Sequence, residues 1–313
     1  MADVSAARLN NLQSRIELIL GNGAGQNGYG QTLASYQVSN GGDNPEDADI
    51  VSANDINSIY ADMIKARIHQ IGVEPTEIDE IVANLNVVAE DTSFEIGNDG
   101  ITVTDPAGAL KGILDYERLM NTVETDKFSV HSSQVTLESS ISSDRTTEWN
   151  GIIYHEFTVN FNSADHRRHF FNTGGTIRFT SNNSGAIGDK GKDWNLLLTS
   201  IGTVIFNYNA TNTTSTGIGS AVGNYGLTES YQQIFQKIGG GTYSGVYAGN
   251  IYTIKAKSTS TTSITFKVEL NDIVTDPIID NNVDGRLTST IQHSRSTSSV
   301  IVAAPTYTNI VSL

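Results

Sequence analysis

Five consecutive ionisable residues, Asp165, His166, Arg167, Arg168 and His169, form the densest charged run in the chain. Imidazole beside carboxylate supplies the groups that acid–base work needs, and the guanidinium groups add a means of holding an anion. The stronger expectation is plainer: a polar turn between two strands, with Asp165 paired to an arginine. In the FFNTGG that follows, Phe170 and Phe171 read as core anchors. Gly174-Gly175 permits the positive φ of a tight turn or bulge ahead of the TIRFT strand.

Asp280, Asn282, Asp284 and Gly285 reproduce the first half of a calcium loop, in which oxygens at alternate positions converge and a glycine makes the bend. The twelfth position is Ile291 and not a bidentate Glu, so a turn rich in Asp and Asn is expected there, without metal. Glu156 and Asp165 are the one pair that suits a glycosidase-like carboxylate couple, although spacing along the chain does not set their separation in space. Tyr225, Tyr231, Tyr243, Tyr247 and Tyr252 could meet glycans or partner subunits through ring and hydroxyl contacts, with about half expected in the core. The chain contains no GxxxxGK[ST], GxSxG or HExxH pattern. No cofactor, no catalytic residue and no enzymatic activity are therefore expected.

Several elements must position these residues. Leu9, Leu12, Ile16 and Ile19 recur at helical spacing until glycines 21 and 23. The glycine-rich stretch that follows reads as a connection with one short strand around Tyr36–Val38. Ser52 with Asp55 forms a capping-box variant before Ile56, Ile59, Met63 and Ile64, which predicts a second helix running towards Gly72. A third is expected from Pro75 or Thr76 to about Val88 and a linker helix over ALKGILDYERLMNTV, with a short strand at ITVTD between them.

From Lys127 the apolar period drops to two. Ile153, His155, Phe157, Val159 and Phe161 alternate with polar residues, and further strands are expected at TIRFT, TVIFNY, NIYTIKAK, SITFKVEL, LTSTIQ and SVIVAA. A helical insertion is expected near LTESYQQIFQKI. The sequence thus predicts an α+β, mainly β chain: a helical attachment or oligomerisation module over residues 1–125 and an antiparallel sandwich or jelly-roll-like domain over 126–313. The short helices have little core of their own, and neighbouring subunits are expected to complete it.

Composition narrows the partners. The 313 residues carry 19 basic and 34 acidic side chains, a net charge of −15, and no cysteine. Such a surface repels phosphate backbones and anionic lipid, so neither nucleic acid nor membrane insertion is expected. Zero cysteines exclude a disulfide framework and a thiolate nucleophile.

The blocks GYGQTLASYQV, IKARIHQIG and EWNGIIYHEFTVNFNSADHRRHFFNTGGTIRFTSN, in that order, resemble a family of virion structural proteins from T4-like phages of marine and cyanobacterial hosts. Arg168, Phe170, Phe171, Asn172, Gly174, Gly175, Ile177 and Arg178 carry the likeness, with Trp194 and a final strand before Pro305 downstream. The resemblance implies a particle-borne protein of the tail, neck or fibre type, made in the host cytoplasm, and brings no catalytic residue with it. Partners are then other copies of the chain and other virion proteins, with a host surface glycan as the alternative; capsid decoration is a further reading. The residues expected to make contacts are Arg168, Phe170, Phe171, Tyr225, Tyr243 and Tyr247.

Overall fold

The computed structural model describes residues 6–39, 51–76, 112–239, 245–274 and 282–311. The chain divides into two compact units, Met1–Val135 with Ser296–Val302, and Thr136–Arg295 with Ala303–Leu313. The helix expected from Pro75 or Thr76 to about Val88 lies, from residue 77 on, outside the described residues, as does the ITVTD strand.

In the first unit, helices α1 (Ala6–Leu20), α2 (Ala53–Ile71) and α3 (Ile113–Thr125) pack against one another. The apolar stripes read from the sequence meet: Leu12 and Ile16 of α1, Met63 of α2, and Met120 and Val123 of α3 are all buried. Each such side chain contributes about 1.5–3 kcal/mol by leaving water. The helices therefore complete a core within the chain, which corrects the expectation that neighbouring subunits must supply it. The linker helix is the third member of this core. Arg8 reaches Glu117 through two nitrogens at 2.5 and 2.8 Å, and Arg15 reaches Glu124 at 2.9 and 2.7 Å, fixing α1 along α3.

The capping box at Ser52 and Asp55 forms as expected, and Gly72 closes α2 at φ 84°. Residues 36–38 form no strand. Their backbone is occupied by side chains instead, Val38 exchanging hydrogen bonds with Asn10 at 2.8 Å in each direction, while Asp62 accepts the N–H groups of Ala34 and Ser35. SVIVAA is not a strand either. Val300 and Val302 are buried in the helical unit, where Ser299 donates to Gln134 and Ile301 to Gln31, so its alternation marks a docking segment.

The second unit is an antiparallel sandwich. One sheet has the order β1 (Val135–Arg145), β9 (Arg286–Ser296), β3 (Thr176–Ser184), β4 (Val204–Phe206), β5 (Thr211–Thr213). The other has the order β10 (Thr306–Val311), β2 (Gly151–Asn160), β8 (Ser263–Asp272), β7 (Ile251–Ser260), β6 (Gln232–Ile238). The inner faces meet through aromatic rings: Phe266 of β8 lies 5.0 Å from Phe179 and 5.1 Å from Phe206. Helix α4 (Ala164–Asn172) follows β2, and α5 (Asp189–Ile201) packs on β3.

The helical insertion expected near residue 230 is β6. Ile234 and Phe235 are both buried because the pairing with β7 slips between Gln233 and Phe235, and that bulge disguises strand alternation as a helical stripe.

Candidate functional site

The run Asp165–His169 is helical, not a turn. Ser163 caps α4 by accepting the His166 N–H at 3.0 Å, and Asp165 sits in the first turn, where the helix dipole favours a carboxylate. The fold uses the cluster internally. Arg167 is buried, donating to Asn224 Oδ1 at 2.7 Å and to Ser258 Oγ, Ser260 O and Ser263 O at 2.6, 3.0 and 3.2 Å, so it fastens the β7–β8 hairpin to the loop at 224. Desolvation lowers its guanidinium to about 10. Arg168 pairs with Asp165 at 2.8 Å. His166 accepts the Asn162 N–H on Nδ1, which leaves Nε2 to donate to Ala303 O at 2.8 Å.

Phe170 and Phe171 are core side chains, stacked edge to face at 5.0 Å and reaching Phe161 and Phe206, so they are unavailable as surface contacts. The expected turn follows them. Gly174 adopts φ 78°, and a Cβ on Gly175 would collide with the Phe170 carbonyl and ring.

Among the remaining sequence candidates, Asp280 and Tyr243 lie outside the described residues. Asp284 accepts the N–H groups of Ile187 and Gly188 at 2.6 and 3.0 Å at the start of α5, and Asn282 donates to Glu148. The Asp284 carboxylate therefore caps a helix, and the Asn282 amide nitrogen closes a loop. Glu156 takes the Tyr231 hydroxyl at 2.6 Å while Asp165 holds Arg168, and the two carboxylates share no partner. Tyr247 is buried, correcting its assignment as a contact residue, and Tyr225 donates to Asn172 at 2.7 Å.

The strand pattern did not reveal a buried polar group around α5. Lys190 meets Asp272 at 2.7 Å with neither side chain exposed, and Lys190 also donates to Val274 O at 2.6 Å. With the Asn250 amide turned to satisfy both neighbours, its nitrogen donates to Asp272 and its oxygen accepts from Trp194 Nε1, each at 3.0 Å. The only sequence signals for this network were a lysine and a tryptophan in a segment without alternation.

Two surface features remain open. The first is a side of the sandwich. On the β5–β6 side, backbone bonds between Thr211 and Ser220 and between Ile218 and Gln236 lace the segment around 218–220 to both edge strands. On the opposite side, β1 and β10 end their sheets, and among the described residues each pairs with a strand on one side alone. Side chains join them: Asn309 of β10 donates to Ser142 O and Ser143 Oγ of β1, and His293 of β9 bridges the two, meeting Tyr307 through Nδ1 at 2.5 Å and Glu138 through Nε2 at 3.3 Å, while Glu138 also accepts from two Arg295 nitrogens at 2.6 and 2.8 Å. That guanidinium holds the Glu138 carboxyl below its usual range. The sequence of β10, TYTNIV, has no charge, glycine or proline, and Ile310 is 60% exposed.

No family model, curated protein or solved structure matches this chain.

The second open feature is the outer face of the β10–β2–β8–β7–β6 sheet. Register places Lys255, Lys267, Glu156 and Ile310 in one row across four strands, with Lys257, Thr265, Thr158 and Thr308 in the next. Tyr231 lies over the lysines of both rows, and burial together with the Glu156 carboxylate pushes its hydroxyl pKa up.

Proposed function

We propose that this chain is a non-enzymatic structural component of a tailed-phage virion, working through subunit–subunit contacts along β10 and β1. The asymmetry of the sandwich carries the reading. One side is closed by backbone hydrogen bonds, and the other ends in two edge strands joined by side chains. Unpaired edges are ready templates for another strand, and proteins that stay monomeric blunt them with charge, proline or a cover. Charges stand on β1 at Glu138, Asp144 and Arg145, but β10 carries none. An added strand on β10 would extend the sheet with main-chain bonds and bury Ile310.

The sequence resemblance supplies the particle, and the helical unit, which buries its own core, leaves the edges as the contacts to explain. Peptide mass spectrometry of density-purified particles of a phage encoding this sequence tests the proposal. The chain is expected among the structural proteins at stoichiometric abundance. Its presence in the lysate together with absence from the particles would overturn the assignment.

A further inference from the structure

The geometry of the outer sheet face points to a site for an acidic saccharide, one bearing carboxylate or sulfate groups among its hydroxyls. Lys257 Nζ stands 4.4 Å from the Tyr231 ring centre. Lys267 Nζ stands 4.8 Å from that ring and 4.2 Å from the ring of Tyr154. Cation–π attraction holds both ammonium groups in place, and neither makes an ion pair or hydrogen bond among the described residues. In a chain with 34 acidic side chains this is a selective arrangement. Lys255, one strand away, is fully engaged by Glu269 at 3.0 Å through both oxygens. Glu156 sits directly opposite Lys267 in register, yet its Oε2 is occupied by the Tyr231 hydroxyl at 2.6 Å. The tyrosine thus keeps the carboxylate engaged and the lysines displayed.

The mixture of groups sets the ligand class. Two ammonium groups that share one tyrosine ring offer donors to an acid group. Beside them, the Glu156 oxygen that Tyr231 does not take and the hydroxyls of Thr158 and Thr265, the last two 3.4 Å apart, offer acceptors and donors to sugar hydroxyls. Nucleic acid presents a charge every ~1.7 Å and few hydroxyls, and it would meet the net −15 of the chain along its whole length. A saccharide spaces its charges and fills the gaps with hydroxyls. Strand addition at β10 uses the sheet edge and leaves this face free, so the site does not depend on the assembly reading.

Calorimetric titration of the full chain with dextran sulfate, neutral dextran and polyglutamate at physiological salt tests the site. Dextran sulfate is expected to bind, and neutral dextran is not. The Lys257→Gln/Lys267→Gln double variant should lose about tenfold or more in affinity while its melting temperature stays close to that of the parent chain. Glu156→Ala separates a hydroxyl-reading site from a merely cationic patch: the site loses affinity, whereas a patch relieved of a negative charge gains it. Absence of dextran sulfate binding, unchanged binding by the double variant, or tighter binding by Glu156→Ala would overturn the proposal. Polyglutamate binding as tight as dextran sulfate would also overturn it, in favour of an acidic protein partner.

Discussion

Lys190 and Asp272 face each other at 2.7 Å with neither side chain exposed to solvent. The two charges come from different elements, α5 and the end of β8, so the pair ties the helix to the sheet. Removing one partner strands the other in a low-dielectric site. Lys190→Met should therefore cost about 3–5 kcal/mol. Adding Asp272→Leu should recover much of that, because the carboxylate that Lys190 neutralises at 2.7 Å is then gone as well. Urea unfolding of the two single variants and the double variant checks this, and strictly additive losses would refute it.

His155 supplies a pH test. It points into the sandwich from β2, wholly buried, with no partner on either ring nitrogen, and the charged groups acting on it are Asp144 and Arg145 of β1. Desolvation lowers its pKa from 6.5 to about 4, with the Asp144 carboxylate opposing that shift. The unfolded chain takes up this proton below about pH 6.5 and the folded chain does not until about pH 4, so stability falls as pH drops through that window. The contribution is about 3 kcal/mol when complete. His293, also buried and lowered, shares the direction. His155→Leu should flatten the stability–pH curve between these values and raise stability at its acid end. An unchanged slope would contradict the assignment.

Arg167 tests whether the charged run is structural. Arg167→Met deletes the donors serving Asn224 and the β7–β8 hairpin and leaves the buried Asn224 Oδ1 without its guanidinium partner. A loss of about 2–4 kcal/mol is expected. Lysine should not rescue it, since one ammonium cannot serve both sides as a guanidinium fork does. Thermal melts decide this, and a melt unchanged by Arg167→Met would contradict the role.

Legibility followed periodicity. The strands at Ile153–Val159 and Ile264–Leu270 and the stripes of α1 and α2 stood out because one face of each is buried along its length. The Ser52–Asp55 box and the Gly174-Gly175 turn were legible because few residue types satisfy that local geometry. Where a distant part of the chain decides the structure, the pattern misled: Val300 and Val302 alternate like a strand but are buried as part of the first unit, and the β6 bulge imitates a helix. Helix α5 went unread because its cap comes from Asp284, nearly a hundred residues on. The Tyr231–Lys257–Lys267 face was only half visible, since alternation places residues on a face but cannot say which strands are neighbours.

The glycine turn can be tested directly. Gly175→Ala places a methyl against the Phe170 carbonyl and ring, both fixed by core packing, so the fold must shift to accept it. A loss of about 1–3 kcal/mol is expected, read as a lower urea midpoint. No change in that midpoint would show that the turn relaxes freely.

Assembly through the edge strands leaves a mark on the backbone amides themselves. Amide hydrogen exchange, followed by mass spectrometry on the isolated chain and on purified particles, reports which backbone N–H groups gain a partner on assembly. Peptides covering Thr306–Val311 and Val135–Arg145 should exchange markedly more slowly in the particle, while those of β7 and β8, already paired on both sides, should not change. Equal exchange of β1 and β10 in the free chain and the particle would contradict assembly through these edges.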